Sequence, residues 1–539
     1  MVKRFPEKIA ALAAAAVAAW LLVVSTRLGP GVGGDATIYI TSTRNLLAGN
    51  GLGLVNPAGE FRLIPYFPPF YPLMLAFFGL TGIDVSEIAA FLNPLFFALT
   101  VAVISLWITE ISHFPLAGFL TGLLAAASPV LIPAYSWAMS EPLCILCGTI
   151  GLILLERFLA KGRPALLWGS ALCCGLAFLT RYSAAAYLGT GAVMLFFFRR
   201  ETVKNRLRDT FRFLLAAAFP MALWVVYDVV KTAALASRSI QHGWDLPAEL
   251  TRFAGQLNTI LLQWAVPDSW IDQPFYPAIF NRLLVFMMVV LVLGSLAAAC
   301  VRYFRRKNPQ RDSLFARLDA MTLILCGFML CYTLVILFVS VTTYPPITIG
   351  ARMFTPAHIS FLWLLGILFL RVWLGAENRR GLKAISLAVM IGFAGFYGLR
   401  SVRIARQNAI DGLGYHSRRW QESEIVAYLR EQTAPDQLLV TNEETALLFL
   451  LDRASWPMHE VYVSEPDPVF YAYESGALAA DDTGRTAFQN GEALLVVFDT
   501  FEDQMRDIYG EDTQRRIDAL FKNLKIVIDG DDGTIYSLE

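Results

Sequence analysis

Charge is what this chain has least of. Asp, Glu, Lys and Arg make up 16% of its 539 residues, against about 25% in soluble domains, so most of the chain does not face water. Neither sign is in excess, with 44 Lys+Arg against 44 Asp+Glu, and net charge gives no sign of a nucleic-acid partner. Cysteine is missing wherever a disulfide would help. All seven (Cys144, Cys147, Cys173, Cys174, Cys300, Cys326 and Cys331) lie in or at the edge of apolar runs, which leaves the outer loops and the C-terminal region without a disulfide framework. Cys144-x-x-Cys147 has a redox or zinc spacing, but it sits in an apolar helix with no second ligand pair, and packing accounts for it. There is no internal repeat, low-complexity tract, calcium loop, phosphate-binding loop or dinucleotide fingerprint.

Apolar length is what the chain has instead. A membrane-crossing helix needs about 20 residues. Eleven runs read as spans: Ile9–Thr26, Glu87–Thr109, Pro115–Tyr135, Ser140–Ala160, Pro164–Arg181, Ala184–Phe198, Phe211–Lys231, Leu283–Val301, Met321–Val341, Met353–Leu374 and Leu382–Leu399. Backbone groups in lipid must bond internally, so these are expected to be helices. The first run precedes Leu28-Gly29-Pro30-Gly31 rather than a small-x-small cleavage site, and is expected to remain as a span.

Basic residues set the orientation. With Lys3, Arg4 and Lys8 in the cytoplasm, the inner loops also hold the clusters Arg199–Arg212 and Arg302–Arg317, together with Arg371, Arg379, Arg380 and Lys383. Eleven spans then put the C-terminus outside. The expected architecture is an α-helical polytopic membrane protein of the inner membrane, with about eleven transmembrane helices over residues 1–410. Two long outer loops occupy 27–86 and 232–281. A small extracytoplasmic α/β domain occupies 411–539, because that region alternates helix and strand patterns and ends in an Asp529–Gly533 hairpin signal. In the first outer loop, Ala36–Ala48 suits a short helix on the membrane surface. Gly49, Gly51 and Gly53 break it, and Tyr66-Phe67-Pro68-Pro69-Phe70-Tyr71-Pro72 forms a turn before a second short apolar segment, Leu73–Leu80. In the second, Trp264, Trp270, Phe275 and Tyr276 read as an interfacial aromatic belt.

Few polar residues sit where chemistry needs them. Asp35 follows Gly33-Gly34 at the outer end of the first span. It has two readings, a helix N-cap or a base at the bilayer boundary, and both can hold. Glu141, in Ser140-Glu141-Pro142, either complements the dipole of the helix it opens or is a second acid in the same outer cavity, able to orient an acceptor or hold a metal. Arg352 stands before an apolar helix, where it either snorkels to headgroups or binds a phosphate bidentately. Arg181 is a weaker candidate of the same kind. His242 and Asp245, three apart, have a spacing that could ligate a metal, although one such pair is weak evidence.

Taken together, Asp35-Ala36-Thr37-Ile38-Tyr39, Arg44–Gly51 and Phe67-Pro68-Pro69-Phe70-Tyr71-Pro72 resemble the first outer loop of GT-C type glycosyltransferases, in the superfamily of protein O-mannosyltransferases and aminoarabinose transferases. Ser140-Glu141, Thr180-Arg181-Tyr182, Arg352-Met353-Phe354-Thr355-Pro356 and Thr441-Asn442-Glu443-Glu444 extend the resemblance over nearly the whole chain. The resemblance implies inverting transfer of one sugar from a polyprenyl-phosphate donor to a protein, lipid or glycan acceptor on the outer membrane face. It implies that Asp35 is the general base and that Arg352, assisted by Arg181, holds the lipid phosphate. Glu141, Tyr39, Tyr66 and Tyr344 would line the cavity or orient the acceptor. Many members carry a second acid directly after the catalytic Asp. Here that position is Ala36, which fits a single-base, metal-free mechanism better, although some relatives bind divalent ions and a divalent metal stays open. Two other classes compete: a multi-pass transporter or flippase, against which the absence of repeated halves counts, and a non-catalytic envelope polysaccharide assembly protein.

Overall fold

The computed structural model describes residues 5–64, 67–232, 239–240, 246–271, 278–305, 313–344, 347, 349–376, 379–458, 487–488, 490–521 and 524–538. Helix α1 (Phe5–Ser25) leads into the first outer loop. There α2 (Asp35–Leu47), the hairpin β1 (Gly53–Val55) and β2 (Phe61–Leu63), and α3 (Phe70–Gly79) follow in turn. The surface helix expected at Ala36–Ala48 is α2, and the second short segment is α3. Asp84 then caps α4 (Val85–Ser112) by accepting from the Ser86 amide at 2.8 Å.

The bundle continues through α5 (Pro115–Ala126), α6 (Leu131–Ser136), α7 (Glu141–Lys161), α8 (Pro164–Phe178), α9 (Ala185–Val193) and α10 (Val203–Thr232). Prolines stand in the first turns of α5, α7 and α8, where no amide partner is lost. Strand β3 (Ser239–Ile240) and helices α11 (Leu246–Ala265) and α12 (Asp268–Ile271) precede α13 (Ala278–Arg305) and α14 (Leu314–Thr342). Strand β4 (Thr343–Tyr344) pairs antiparallel with β3, and α15 (Thr355–Gly375) and α16 (Arg380–Asp411) complete the bundle.

Eight of these helices, α1, α4, α7, α10 and α13 to α16, are long and apolar enough to cross a membrane. The other three expected spans fall on shorter apolar helices: Pro115–Ala126, Pro164–Phe178 and Tyr182–Phe198. The expected Pro115–Tyr135 span is broken around Ser128-Pro129, since the residue before a proline disfavours helix. The second outer loop contains a long helix, α11, that the span reading did not anticipate. Its apolar residues Phe253, Ile260 and Trp264 are buried on one face. Trp264 packs against His358 and Phe361 inside the protein, not in a headgroup belt. Close packing elsewhere needs small residues: a Cβ on Gly118 of α5 would come within 1.9 Å of Thr109 Oγ1 on α4.

The C-terminal part holds a five-stranded mixed sheet. Strands β5 (Leu438–Thr441), β6 (Trp456–Pro457), β7 (Ala493–Phe498), β8 (Leu524–Gly530) and β9 (Gly533–Leu538) lie in the order β6-β5-β7-β9-β8. The first three run parallel, and β9 and β8 form the expected hairpin. Helices α17 (Arg418–Gln421), α18 (Glu424–Gln432), α19 (Glu444–Leu451), α20 (Thr500–Tyr509) and α21 (Thr513–Phe521) accompany it. The sheet's two faces bury separate apolar clusters, one around Leu495 and Phe501, the other around Ile425, Leu447 and Val496. A further cluster joins the regions: Tyr39, Tyr71 and Phe96 pack with Tyr415 and Ala446 of the C-terminal part.

Candidate active site

Four charged residues from four distant stretches meet at one end of the bundle. Helix α2 begins at Asp35 itself, and Gly34 (φ 44) is its N-cap with no side-chain capping bond. Gly34, not Asp35, therefore holds the cap position, and the Asp35 carboxylate accepts no helix amide among the described residues. Arg352, in a short 3-10 turn ahead of α15, donates from Nη2 to Asp35 Oδ2 at 3.3 Å. The same guanidinium places Nε 3.3 Å from Glu141 Oε1. Arg352 thus bridges two acids.

Glu141 is 1% exposed and opens α7 after Ser140. Its Oε1 also stands 3.1 Å from Arg181 Nη1. Both arginines approach as ion pairs outside hydrogen-bond geometry, and neither carboxylate oxygen has a hydrogen-bond partner among the described residues. Arg181 donates instead to Ser140 Oγ at 3.0 Å, and the same hydroxyl lies 3.1 Å from Tyr39 OH. Tyr39 is buried, its ring against Phe67 and Tyr71. That burial pushes its phenol far above the ordinary range and keeps it a proton donor, against the smaller opposing effects of Arg181 and the Ser140 bond. The chain of contacts runs Asp35–Arg352–Glu141–Arg181–Ser140–Tyr39.

Exposure divides this chain into two ends. The Asp35 and Arg352 side chains are 39% and 40% exposed, whereas those of Glu141 and Arg181 are 1% and 19% exposed. The inner pair is set in protein and the outer pair faces an opening. Beside Tyr39 lies a shallow cleft, walled by Ile38, Phe67, Pro69 and Trp224.

No protein-family model matches the chain, and no curated protein matches it in sequence. Solved structures do match its shape. ArnT from Cupriavidus metallidurans bound to undecaprenyl phosphate aligns over 97% of this chain and 96% of its own, at 14% identity and a TM-score of 0.50. The archaeal oligosaccharyltransferase AglB from Archaeoglobus fulgidus, in complex with an inhibitory peptide and a dolichol-phosphate, aligns over 96% of this chain and 72% of its own, at 11% identity and a TM-score of 0.54. The chain has the GT-C fold. With its apolar helices, that makes it a multi-pass membrane protein.

Within this GT-C fold, the structure brings together Asp35, Glu141, Arg181, Arg352 and Tyr39 from the expected set. Tyr344 pairs through its backbone with Ser239 in the β3–β4 ribbon. Tyr66, His242 and Asp245 lie outside the described residues. Three further residues support the site. Asn93 of α4 holds the loop before Glu141, donating to the Trp137 carbonyl and accepting from Tyr71 OH at 3.3 Å. Tyr332 of α14 donates to the Met353 carbonyl at 2.5 Å, which fixes the residue after Arg352. Met139 Sδ lies 3.5 Å from Arg352 Nη1. A signal existed for the first two: Asn93 sits inside an expected apolar span, and a tyrosine hydroxyl within another must find a partner.

The two carboxylates do not fit a divalent cation. Each faces a guanidinium within 3.3 Å, which would repel a dication at the same place, and no group of three His, Cys, Asp or Glu converges among the described residues.

Proposed function

We propose that this chain is a membrane glycosyltransferase of the inner membrane, with a cytoplasmic N-terminus and an extracytoplasmic site. It moves one sugar, with inversion, from a polyprenyl-phosphate donor to an acceptor hydroxyl. One observation carries the reading: an acid and an arginine, Asp35 and Arg352, face each other in the half-exposed mouth of a GT-C fold. ArnT, bound to undecaprenyl phosphate, and AglB, bound to dolichol-phosphate, share that fold.

The chemistry follows from the charges. The donor phosphate takes Arg352, with Arg181 close behind it. The acceptor oxygen attacks the anomeric carbon, Asp35 takes the hydroxyl proton, and the bond from that carbon to the phosphate oxygen breaks. Polyprenyl phosphate leaves with added negative charge, which the guanidinium stabilises. One positioned base and one displacement give inversion. The Asp35–Arg352 pair also implies an order of events. Asp35 is held by Arg352 until a phosphate competes for that guanidinium, so donor binding releases the base for the acceptor.

The test uses the full chain in nanodiscs with a panel of polyprenyl-phosphate sugars and an acceptor-rich membrane extract. Wild type is expected to transfer one sugar, and Asp35→Asn to lose transfer while still binding undecaprenyl phosphate. Equal transfer by both, or none by wild type from any donor, sinks the reading.

A further inference from the structure

We propose that the Gly414-Tyr415-His416 segment, where the chain enters the C-terminal sheet region, positions Asp35 for proton abstraction; this rests on the glycosyltransferase reading above. Three stretches meet through two isolated β-bridges, Gly31 with Trp137 and Val32 with Gly414. The Gly31 amide donates to the Ser136 carbonyl at 2.9 Å, and the Ala138 amide donates back to the Gly31 carbonyl at 2.9 Å. On the other side, the Tyr415 amide donates to the Val32 carbonyl at 2.8 Å. His416 Nδ1 donates to the Pro30 carbonyl at 2.7 Å. The first stretch runs on into Ser140 and Glu141, the second into Asp35, and the third into the C-terminal sheet. Both acids of the site therefore hang from one small backbone ladder whose outer rung belongs to the C-terminal region.

The third stretch is itself anchored. Tyr415 is buried, stacks on Phe449 and meets Trp420 edge-on, and its hydroxyl lies 2.6 Å from Thr445 Oγ1 on α19. The bend from the ladder to Asp35 passes between two aromatic side chains: a Cβ on Gly33 would lie 3.3 Å from Trp137 and 3.9 Å from Tyr415. Arg352 is the one hydrogen-bond partner of the Asp35 carboxylate among the described residues. Once a donor phosphate takes that arginine, the backbone is what aims the base. Misplacing a reacting group by about 1 Å costs on the order of a hundredfold in rate.

Gly414 offers a direct probe. Its φ is +54, and a Cβ there would sit 2.0 Å from the Val32 carbonyl oxygen, so any side chain pushes the two stretches apart. Gly491 has φ +75 with nothing within 4 Å of its Cβ, so Gly491→Ala carries similar backbone strain without the push. In full-chain nanodiscs, Gly414→Ala is expected to lower kcat of sugar transfer about 10- to 100-fold below Gly491→Ala. Undecaprenyl-phosphate affinity should stay within about twofold, because Arg352 and Arg181 are untouched. A kcat for Gly414→Ala equal to that of Gly491→Ala overturns the proposal. If Gly414→Ala does not fold, Tyr415→Ala and His416→Ala decide, since each removes one side-chain tether and keeps the Val32 hydrogen bond. Both should lose kcat at unchanged affinity, and Tyr415→Phe, which keeps the ring, should recover it. Wild-type kcat in both alanine variants overturns the proposal. An inactive wild type would instead fail the glycosyltransferase reading itself.

Discussion

Helix α7 carries one buried acid at each end, and the two are treated differently. Glu156, in its last turns, takes a bidentate pair from Arg317 at 2.8 and 3.0 Å and a bond from Trp107 Nε1 at 3.2 Å. Nearby, Asp319 Oδ1 takes both Arg302 and Arg371, so the contrast with Glu141 rests on Glu156. These contacts tie α4, α7, α13, α14 and α15 together, with Glu156 and Asp319 fully buried. At the other end, Glu141 shares one oxygen between two arginines in poor hydrogen-bond geometry, and the outermost pair is left half exposed. Two glutamates of one helix thus make a closed joint at one end and an open one at the other. Tight satisfaction marks structure, and incomplete satisfaction next to solvent marks a place for another molecule's charge.

Four measurements on three substitutions sharpen or break this contrast. The largest effect is expected for Asp35→Asn, a loss of about 10²- to 10⁴-fold in sugar transfer with little change in thermal unfolding; general-base removal has that size. A matching loss of stability would move Asp35 into the structural class. Next comes Arg317→Ala, which leaves Glu156 buried without its cation and should cost about 3–5 kcal/mol of stability, read by thermal unfolding in a fixed detergent. An unchanged midpoint would mean that the inner joint is not closed after all. Third, Arg352→Ala is expected to weaken undecaprenyl-phosphate binding about 10- to 100-fold, the range of hydrogen bonds to a charged group, while barely moving the unfolding midpoint. Equal affinity would remove it from the phosphate role. The smallest effect is the most specific: Asp35→Asn should bind undecaprenyl phosphate about two- to fivefold tighter than wild type, since a half-exposed ion pair is worth up to about 1 kcal/mol. The gain should shrink as salt rises. Weaker binding would contradict the donor-first order.

How far the sequence could be read follows from the same physics. Hydropathy found a helix for every expected span, because lipid leaves the backbone few alternatives. It was blind to α11, whose apolar residues recur at helical spacing but are diluted by polar ones. Asp35, Glu141, Arg181 and Arg352 were legible because each marks the same end of a different apolar helix. Their mutual distances were not, since nothing local to position 35 specifies what faces it from position 352. The C-terminal strands and hairpin were legible from alternation and the Asp-Gly turn. The pairing of Gly414–Tyr415 with Val32 is a contact across most of the chain and leaves no local pattern. Tyr332 and Asn93 went unread although each is a polar group inside an apolar helix, the one local sign such supports give.

Helix α16 carries one more consequence. It runs 32 residues, from Arg380 to Asp411, about 48 Å at 1.5 Å per residue, against a hydrocarbon core of about 30 Å. Its C-terminal turns are pinned sideways, by Ser401 Oγ to the Ala127 carbonyl at 2.7 Å and by Asn408 Nδ2 to Ser25 Oγ at 2.8 Å. A pinned rod of fixed length sets phase as well as height. One residue inserted after Asn408 would turn the residues that follow by about 100° and lift them by about 1.5 Å, against the bonds that hold Tyr415 and His416 to Val32 and Pro30. Four residues would nearly restore the rotation and lift them by about 6 Å. Angular and vertical alignment of the C-terminal sheet over the membrane are thus separately addressable in a single helix.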